Sequence, residues 1–160
     1  FYMVATGILG ELKIFSVGVG YTIPFQVIAA PWIESDSLAD KMNKLDLNGV
    51  FFRPINFTPY YSIYKGQSIG GVQIHIRDFK SVNLFSIQFY FLQVHNMLYP
   101  EKKAFDLASD SNIDMFDKAL GSTQLRIKIA NSNNYYAIKE LVDKDVQNFK
   151  IKKLPYHLYE

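Results

Sequence analysis

Apolar and polar positions alternate most sharply in Val72-Gln73-Ile74-His75-Ile76. Strict period-two alternation marks a strand with one buried face. It places Val72, Ile74 and Ile76 on one side and Gln73, His75 and Arg77 on the other. That second face either meets water or forms the wall of a polar ligand site. A β-type run, Val50 to Phe57, comes shortly before it. The intervening loop holds Pro59, the tyrosines Tyr60, Tyr61 and Tyr64, and the glycines Gly66, Gly70 and Gly71. Glycine suits places where the backbone turns or lets another group approach closely.

Elsewhere the pattern predicts a mixture of strands and helices. Glu11 to Val19 alternates loosely and reads as a strand, broken at Gly18 and Gly20. Gln26 to Ala30 reads as a short buried strand that stops before Pro31, because the residue before proline avoids the helical region. Glu34-Ser35-Asp36-Ser37 is a helix start; Leu38, Met42 and Leu45 then keep helical spacing up to a stop at Asn48-Gly49. Ser81 to Tyr99 fits strand alternation at Phe85, Ile87, Phe89 and Phe91, and helical spacing at Ile87, Phe91, Val94 and Leu98. Its length and the stop at Pro100 favour a buried helix, with His95 as a structural histidine. Ile113, Phe116 and Leu120 predict a helix ended by Gly121, whereas Leu125, Ile127 and Ile129 alternate like a strand. From Asn134, the stripe Ile138, Leu141, Val142, Val146, Phe149 predicts a helix closed by lysines and by Pro155. With no repeat or linker, residues 1–160 form one α+β domain: a small mixed or antiparallel sheet packed by several helices.

Composition narrows the partners more than the fold. The 160 residues include 13 Phe, 11 Tyr and no Cys, at a formal net charge of +2. The basic residues are scattered, which argues against a nucleic-acid interface. No apolar run reaches the roughly 20 residues of a membrane span. Lack of cysteine excludes disulfides and thiolate metal sites, and His75, His95 and His157 lack metal-ligand spacing, so neither metal nor cofactor is expected. The aspartates between Asp106 and Asp117 lack the calcium-loop spacing and read as a solvated face with helix caps. Phe1-Tyr2-Met3-Val4 has no initiator Met and no signal-peptide pattern, and reads as the middle of something longer.

The stretch FTPYYSIYKGQSIGGVQIHIRD, from Phe57 to Asp78, resembles the F-T-P…G…C-G-G-V-Q-[IV]-H-[IV]-x-D signature of the bacterial exo-β-N-acetylmuramidases, a family long known as a domain of unknown function. Pro24 to Ile33 is similar to that family's P-F-[EQ]-x-[IV]-G-A-P-W-[IV] segment. Glu11…Ser16-Val17-Gly18-Val19-Gly20 stands where the family has E-G-T-N-x-S-x-G-R-G-T. Phe149…Lys153…Tyr156-His157-Leu158-Tyr159 resembles its closing F-x-x-x-R-x-x-Y-L-L-Y. Order and spacing are kept along almost the whole chain. Departures fall at Leu12, Lys13 and Ile14, at Val19 (family Arg), Tyr21 (family Thr) and Ile63 (family Lys), and at Lys153 and His157 in the closing motif.

The resemblance implies a short helix after Gly121-Ser122-Thr123, against the alternation there. It also implies the C-terminal domain of a longer two-domain hydrolase that removes N-acetylmuramic acid from the non-reducing ends of peptidoglycan fragments. The catalytic acids would then belong to a preceding Rossmann-like domain, because this chain has no strand–glycine turn–helix repeat. Glycoside hydrolysis generally uses two carboxyl groups about 5–10 Å apart, and no pair of acids here is singled out by its setting. The expected partners are the peptidoglycan-derived sugar and that N-terminal domain. The expected location is the bacterial cell envelope or outside the cell, with the cytoplasm as the alternative.

Substrate contact is what this chain would supply. Muramic acid offers a carboxylate, an N-acetyl group and hydroxyls, which call for guanidinium or backbone N–H groups and an apolar wall. The motif positions offering these are Glu11, Ser16, Gly18, Gly20, Arg53, Phe57, Gln73 and His75. Each has a plainer alternative: turn geometry for the glycines, core for Phe57, an internal ion pair for Arg53, a buried hydrogen bond for His75. Two rival functions remain, a non-catalytic carbohydrate- or wall-binding domain and a purely structural one.

Overall fold

In the computed structural model, which describes residues 1–144 and 146–158, the chain folds as an α+β domain around a three-stranded antiparallel sheet. The strands are β1 (Val27–Ala30), β2 (Val50–Phe57) and β3 (Ile69–Ile76), in the order β1-β3-β2. β3 is central because it alone can be covered on both edges: Val27 pairs with Gln73, and Gln73 in turn with Arg53. Pro54 lacks an N–H, and β2 is accordingly an edge strand. Its outer edge is partly closed by Asn43, whose amide exchanges two hydrogen bonds with the Phe52 backbone at 2.8 and 2.9 Å.

The inner sheet face, with Ile28, Phe52, Val72 and Ile74, is buried against α2 (Ser35–Asn43) and α3 (Leu84–Leu98). Glu34 caps α2 by accepting from the Asp36 and Ser37 N–H groups at 3.1 and 2.6 Å. The Ser37 hydroxyl and then these N–H groups hold the Glu34 carboxyl below its ordinary range. Ser35 Oγ ties the helix to the sheet, donating to Ile55 O and accepting from Gly71 N–H. Asn43 ends α2, and Asp46 takes a positive φ. The helix therefore stops short of Leu45, ahead of the expected stop at Asn48-Gly49.

α3 is the buried helix that the length of its apolar run predicts, opened by Asn83, which accepts from Ser86 N–H at 3.2 Å. His95 lies fully buried on it. Its Nε2 accepts from the Trp32 indole at 3.0 Å, and its Nδ1 faces Asn96 Oδ1 at 3.1 Å. An acceptor at Nε2 fixes the neutral Nδ1–H tautomer, and burial lowers the pKa to about 4. The structural reading of His95 is correct.

Two sequence expectations are corrected, and the short helix implied after Gly121-Ser122-Thr123 is present. Glu11 does not begin a strand; it ends α1 (Tyr2–Glu11), which packs on α3 and on α5 (Asp110–Leu120). Only Ser16 of the Glu11–Val19 run joins the sheet, through one antiparallel bridge to Ala29. Residues 123–132 are helical, as α6 (Thr123–Ser132), because Leu125 and Ile129 also satisfy i, i+4 and are the two buried positions. The stripe from Asn134 is two helices, α7 (Tyr136–Asp143) and α8 (Val146–Lys153), and its Phe149 end is exposed. Gly121 ends α5 in the left-handed conformation, as expected. A short α4 (Ala104–Leu107) precedes α5, and Asp117 pairs with Arg126 at 2.8 Å. Tyr159, the last position of the closing motif, lies outside the described residues.

Candidate functional site on the open sheet face

Strand pairing puts residues directly opposite one another on the same face, so Arg53, Gln73 and Val27 share the outer face, as do Phe51 and His75. Val72 is fully buried and His75 is exposed, so the register read from the alternation is correct. The Arg53 guanidinium donates twice to Gln73 Oε1, at 3.1 and 2.5 Å. Beyond His75, Arg77 lies 4.6 Å over the Phe51 ring. The Asp78 carboxyl next to it is occupied, accepting from Lys80 N–H at 2.9 Å, and that bond holds its pKa below the ordinary carboxylate range. Among the described residues neither Arg53 nor Arg77 enters an ion pair. The open face is therefore an aromatic and amide strip with two guanidiniums, suited to a carboxylate on an otherwise neutral ligand.

The other half of the outer face is closed. Val27, Ala29, Phe57 and Ile69 form a small second core, covered by Ile23, Ile55 and Tyr64. Phe57 is thus a core residue, with the Tyr21 ring tilted against it at 4.6 Å. Gly18 and Gly20 hold positive φ of 81° and 93°. A Cβ on Gly18 would come within 2.6 Å of Ile23 O and 2.9 Å of Val27 Cγ2, and one on Gly20 would strike the Tyr61 carbonyl oxygen. Both glycines are accounted for by chain geometry, which locks the 18–25 loop onto the tyrosine loop (Tyr60 N–H donates to Gly20 O at 2.7 Å).

Ser16 is buried at the sheet's far side, beyond β1. Three strand spacings, about 14 Å, separate it from β2. Glu11 is half-buried in a separate cleft of about 170 Å³, shared with Lys13, Val17, Val19 and Phe25. The structure thus brings Arg53, Gln73 and His75 together, sets Gly18 at their border through Val27, and leaves Glu11 and Ser16 apart. Among the described residues Arg53 enters no ion pair, and His75 is exposed, so neither the internal ion pair nor the buried hydrogen bond is found at those two. Arg77, already on this face by the alternation, and Phe51 belong to the strip, and the pairing of β2 with β3 is what adds Phe51. At the departures, Leu12 and Ile14 are core residues, whereas Lys13 is exposed.

What the fold and this face define is an α+β domain with a glycine-locked loop beside a cationic, aromatic sheet surface. The chain belongs to the family described as "Exo-beta-N-acetylmuramidase NamZ, C-terminal", whose model matches residues 1–159. Over 155 residues it is 34% identical to the peptidoglycan beta-N-acetylmuramidase NamZ of Bacillus subtilis (strain 168), covering 97% of this chain and 36% of that protein. A crystal structure of a DUF1343 family protein from Bacteroides fragilis NCTC 9343 matches with a TM-score of 0.96 and 43% identity, over 99% of this chain and 41% of that one. The chain thus spans just over a third of the curated relative's length.

Proposed function

We propose that this chain is the C-terminal part of a glycoside hydrolase that removes N-acetylmuramic acid from non-reducing ends of peptidoglycan fragments. It contributes a wall of the substrate cleft and a packing surface for a Rossmann-like N-terminal domain, while the catalytic acids lie in that domain. The protein acts in the bacterial cell envelope or outside the cell. The observation that carries this reading is the pairing of family membership with an open strip whose two guanidiniums have no acidic partner among the described residues. A muramic acid carboxylate is the ligand group that such a strip would neutralise. Location of the acids elsewhere is supported by their scatter: Glu11, Asp46 and Asp117 line three different clefts, none with a second carboxyl group.

Three measurements test this. The 160-residue chain alone is expected to show no turnover of a muramic-acid-terminated disaccharide; turnover near the rate of the longer protein would overturn the division of roles. In the longer protein, Arg53→Ala is expected to lower kcat/KM by about 10–100-fold, as loss of one charge-assisted contact does, with the melting temperature nearly unchanged. A large fall in melting temperature with catalysis intact would make the strip structural. His75→Ala, at an exposed position, is expected to follow the same pattern with a smaller effect.

A further inference from the structure

A second concavity lies on the opposite side of the sheet from the strip. It is a cleft of about 320 Å³ between the turn before β2, the first turns of α3, and α7. Its floor is apolar, built from Leu47, Val50, Val82 and Ile87. Its rim is polar, with Asn48, Asn83, Tyr90, Gln93, Tyr136 and Lys139. The size is at the lower end of small-ligand sites, enough for one or two rings. No motif residue discussed above contributes to it.

The groups around it are fixed in place. Tyr90 packs on the buried Tyr135 ring at 4.6 Å. Gln93 Oε1 accepts the Tyr135 N–H at 3.0 Å, so its amide N–H₂ remains to donate. Tyr136 is held by its N–H to Asn134 Oδ1 at 2.9 Å, yet its ring is 67% exposed. Burial and then a hydrogen bond with Tyr136 raise the Tyr90 pKa to about 12, which ties the two phenols together on the rim. Charge is nearly balanced: Lys139 is paired with Asp143 at 2.6 Å, and among the described residues Asp46 is the single acid on the lining. An apolar floor, the exposed Tyr136 ring beside the half-buried Tyr90, and uncharged amide and hydroxyl rims suit a sugar ring, whose C–H faces stack on aromatics and whose hydroxyls bond to amides. Among the described residues its lining holds no unpaired cation, which sets the cleft apart from the guanidinium strip and selects against a carboxylate sugar.

We propose that this cleft is an accessory binding site for a neutral N-acetylated saccharide, separate from the cleft that holds the muramic acid end. The choice of an N-acetyl sugar over other neutral ones rests on the function proposed above; the existence of the site does not. It would hold a glycan at a second point and raise the effective concentration of its ends near the strip.

The test uses the longer protein and N,N′-diacetylchitobiose as the probe, with binding followed by calorimetry and saturation-transfer NMR. Saturation transfer to the acetyl methyls and a Kd raised at least tenfold by Tyr136→Ala or Asn48→Ala are expected, with Arg53→Ala leaving that Kd unchanged. Turnover of a small muramic-acid-terminated disaccharide is expected to be unaffected by Tyr136→Ala. No saturation transfer in the wild-type protein overturns the proposal, and so does binding lost through Arg53→Ala but kept in Tyr136→Ala. Unimpaired turnover beside absent chitobiose binding would reject this cleft while leaving the proposed hydrolase function standing. Glucose or cellobiose binding as tightly as chitobiose would reject the N-acetyl preference alone.

Discussion

Alanine at Gly20 is expected to cost about 2–5 kcal/mol of stability, a large share of the 5–15 kcal/mol that a domain of this size has. Two penalties combine. A φ of 93° is poor for any L side chain, and the new Cβ would drive into the carbonyl oxygen of Tyr61, a backbone atom that cannot swing aside. The 18–25 loop would have to lift off the tyrosine loop, breaking the bond from Tyr60 N–H to Gly20 O and exposing the small core at Val27 and Phe57. Gly66 is the control, because its φ of 74° is also positive but no atom lies within 4 Å of its Cβ position. Gly66→Ala should therefore cost only about 1 kcal/mol. Denaturant unfolding of both variants decides the matter. Equal losses would show that backbone conformation alone, and not the lock between the loops, explains Gly20.

Acidification is expected to remove about 3 kcal/mol between pH 6.5 and pH 4 through His95 alone. The unfolded side chain binds a proton near 6.5, while the buried one resists until about 4. Above 6.5 both states are neutral and stability is whole. Below it only the unfolded chain gains the proton, so stability falls until pH reaches the native value and then levels off. A gap of about 2.5 pH units at 1.36 kcal/mol each gives the magnitude. Glu34 and Asp78 titrate below the ordinary carboxylate range, so their stabilisation is lost at lower pH still. His95→Gln should be less stable at pH 7, since the ring packs edge-on against Phe15 at 4.8 Å, but its stability should be much flatter through this window. Unfolding midpoints from pH 7 to pH 4 give the comparison, and parallel slopes for the two proteins would rule His95 out as the source.

Part of the site was legible because a strand reports its faces at every second residue. The alternation of Val72 to Ile76 has one register that buries apolar groups, so Gln73 and His75 had to share the other face. Which residues stand beside them is a matter of pairing between distant segments, and Arg53 opposite Gln73 or Phe51 opposite His75 has no local signature. Glu11 shows the same limit from the other side. Its motif position suggested substrate contact beside the strip, but it ends a helix and lines a different cleft.

By itself the sequence determined the elements whose side-chain pattern is set by a single neighbouring surface: β3 with its one buried face, α2 with Glu34 at its start, α5 with Gly121 at its end. The long apolar run at α3 and the buried role of His95 followed from the same patterning. Tertiary structure decided the segments whose pattern admits two answers. α1 is apolar nearly all round, so no period marks it; its position between α3 and α5 makes it a helix with Ala5, Thr6 and Leu9 inward. Leu125, Ile127 and Ile129 alternate, yet Ile127 is 45% exposed while Leu125 and Ile129 are buried, because packing uses the four-residue spacing. The stripe from Ile138 to Phe149 continues in the sequence, but its burial stops after Val142. A periodic pattern states which side chains can share a face; whether another part of the chain covers that face depends on contacts between residues far apart in sequence.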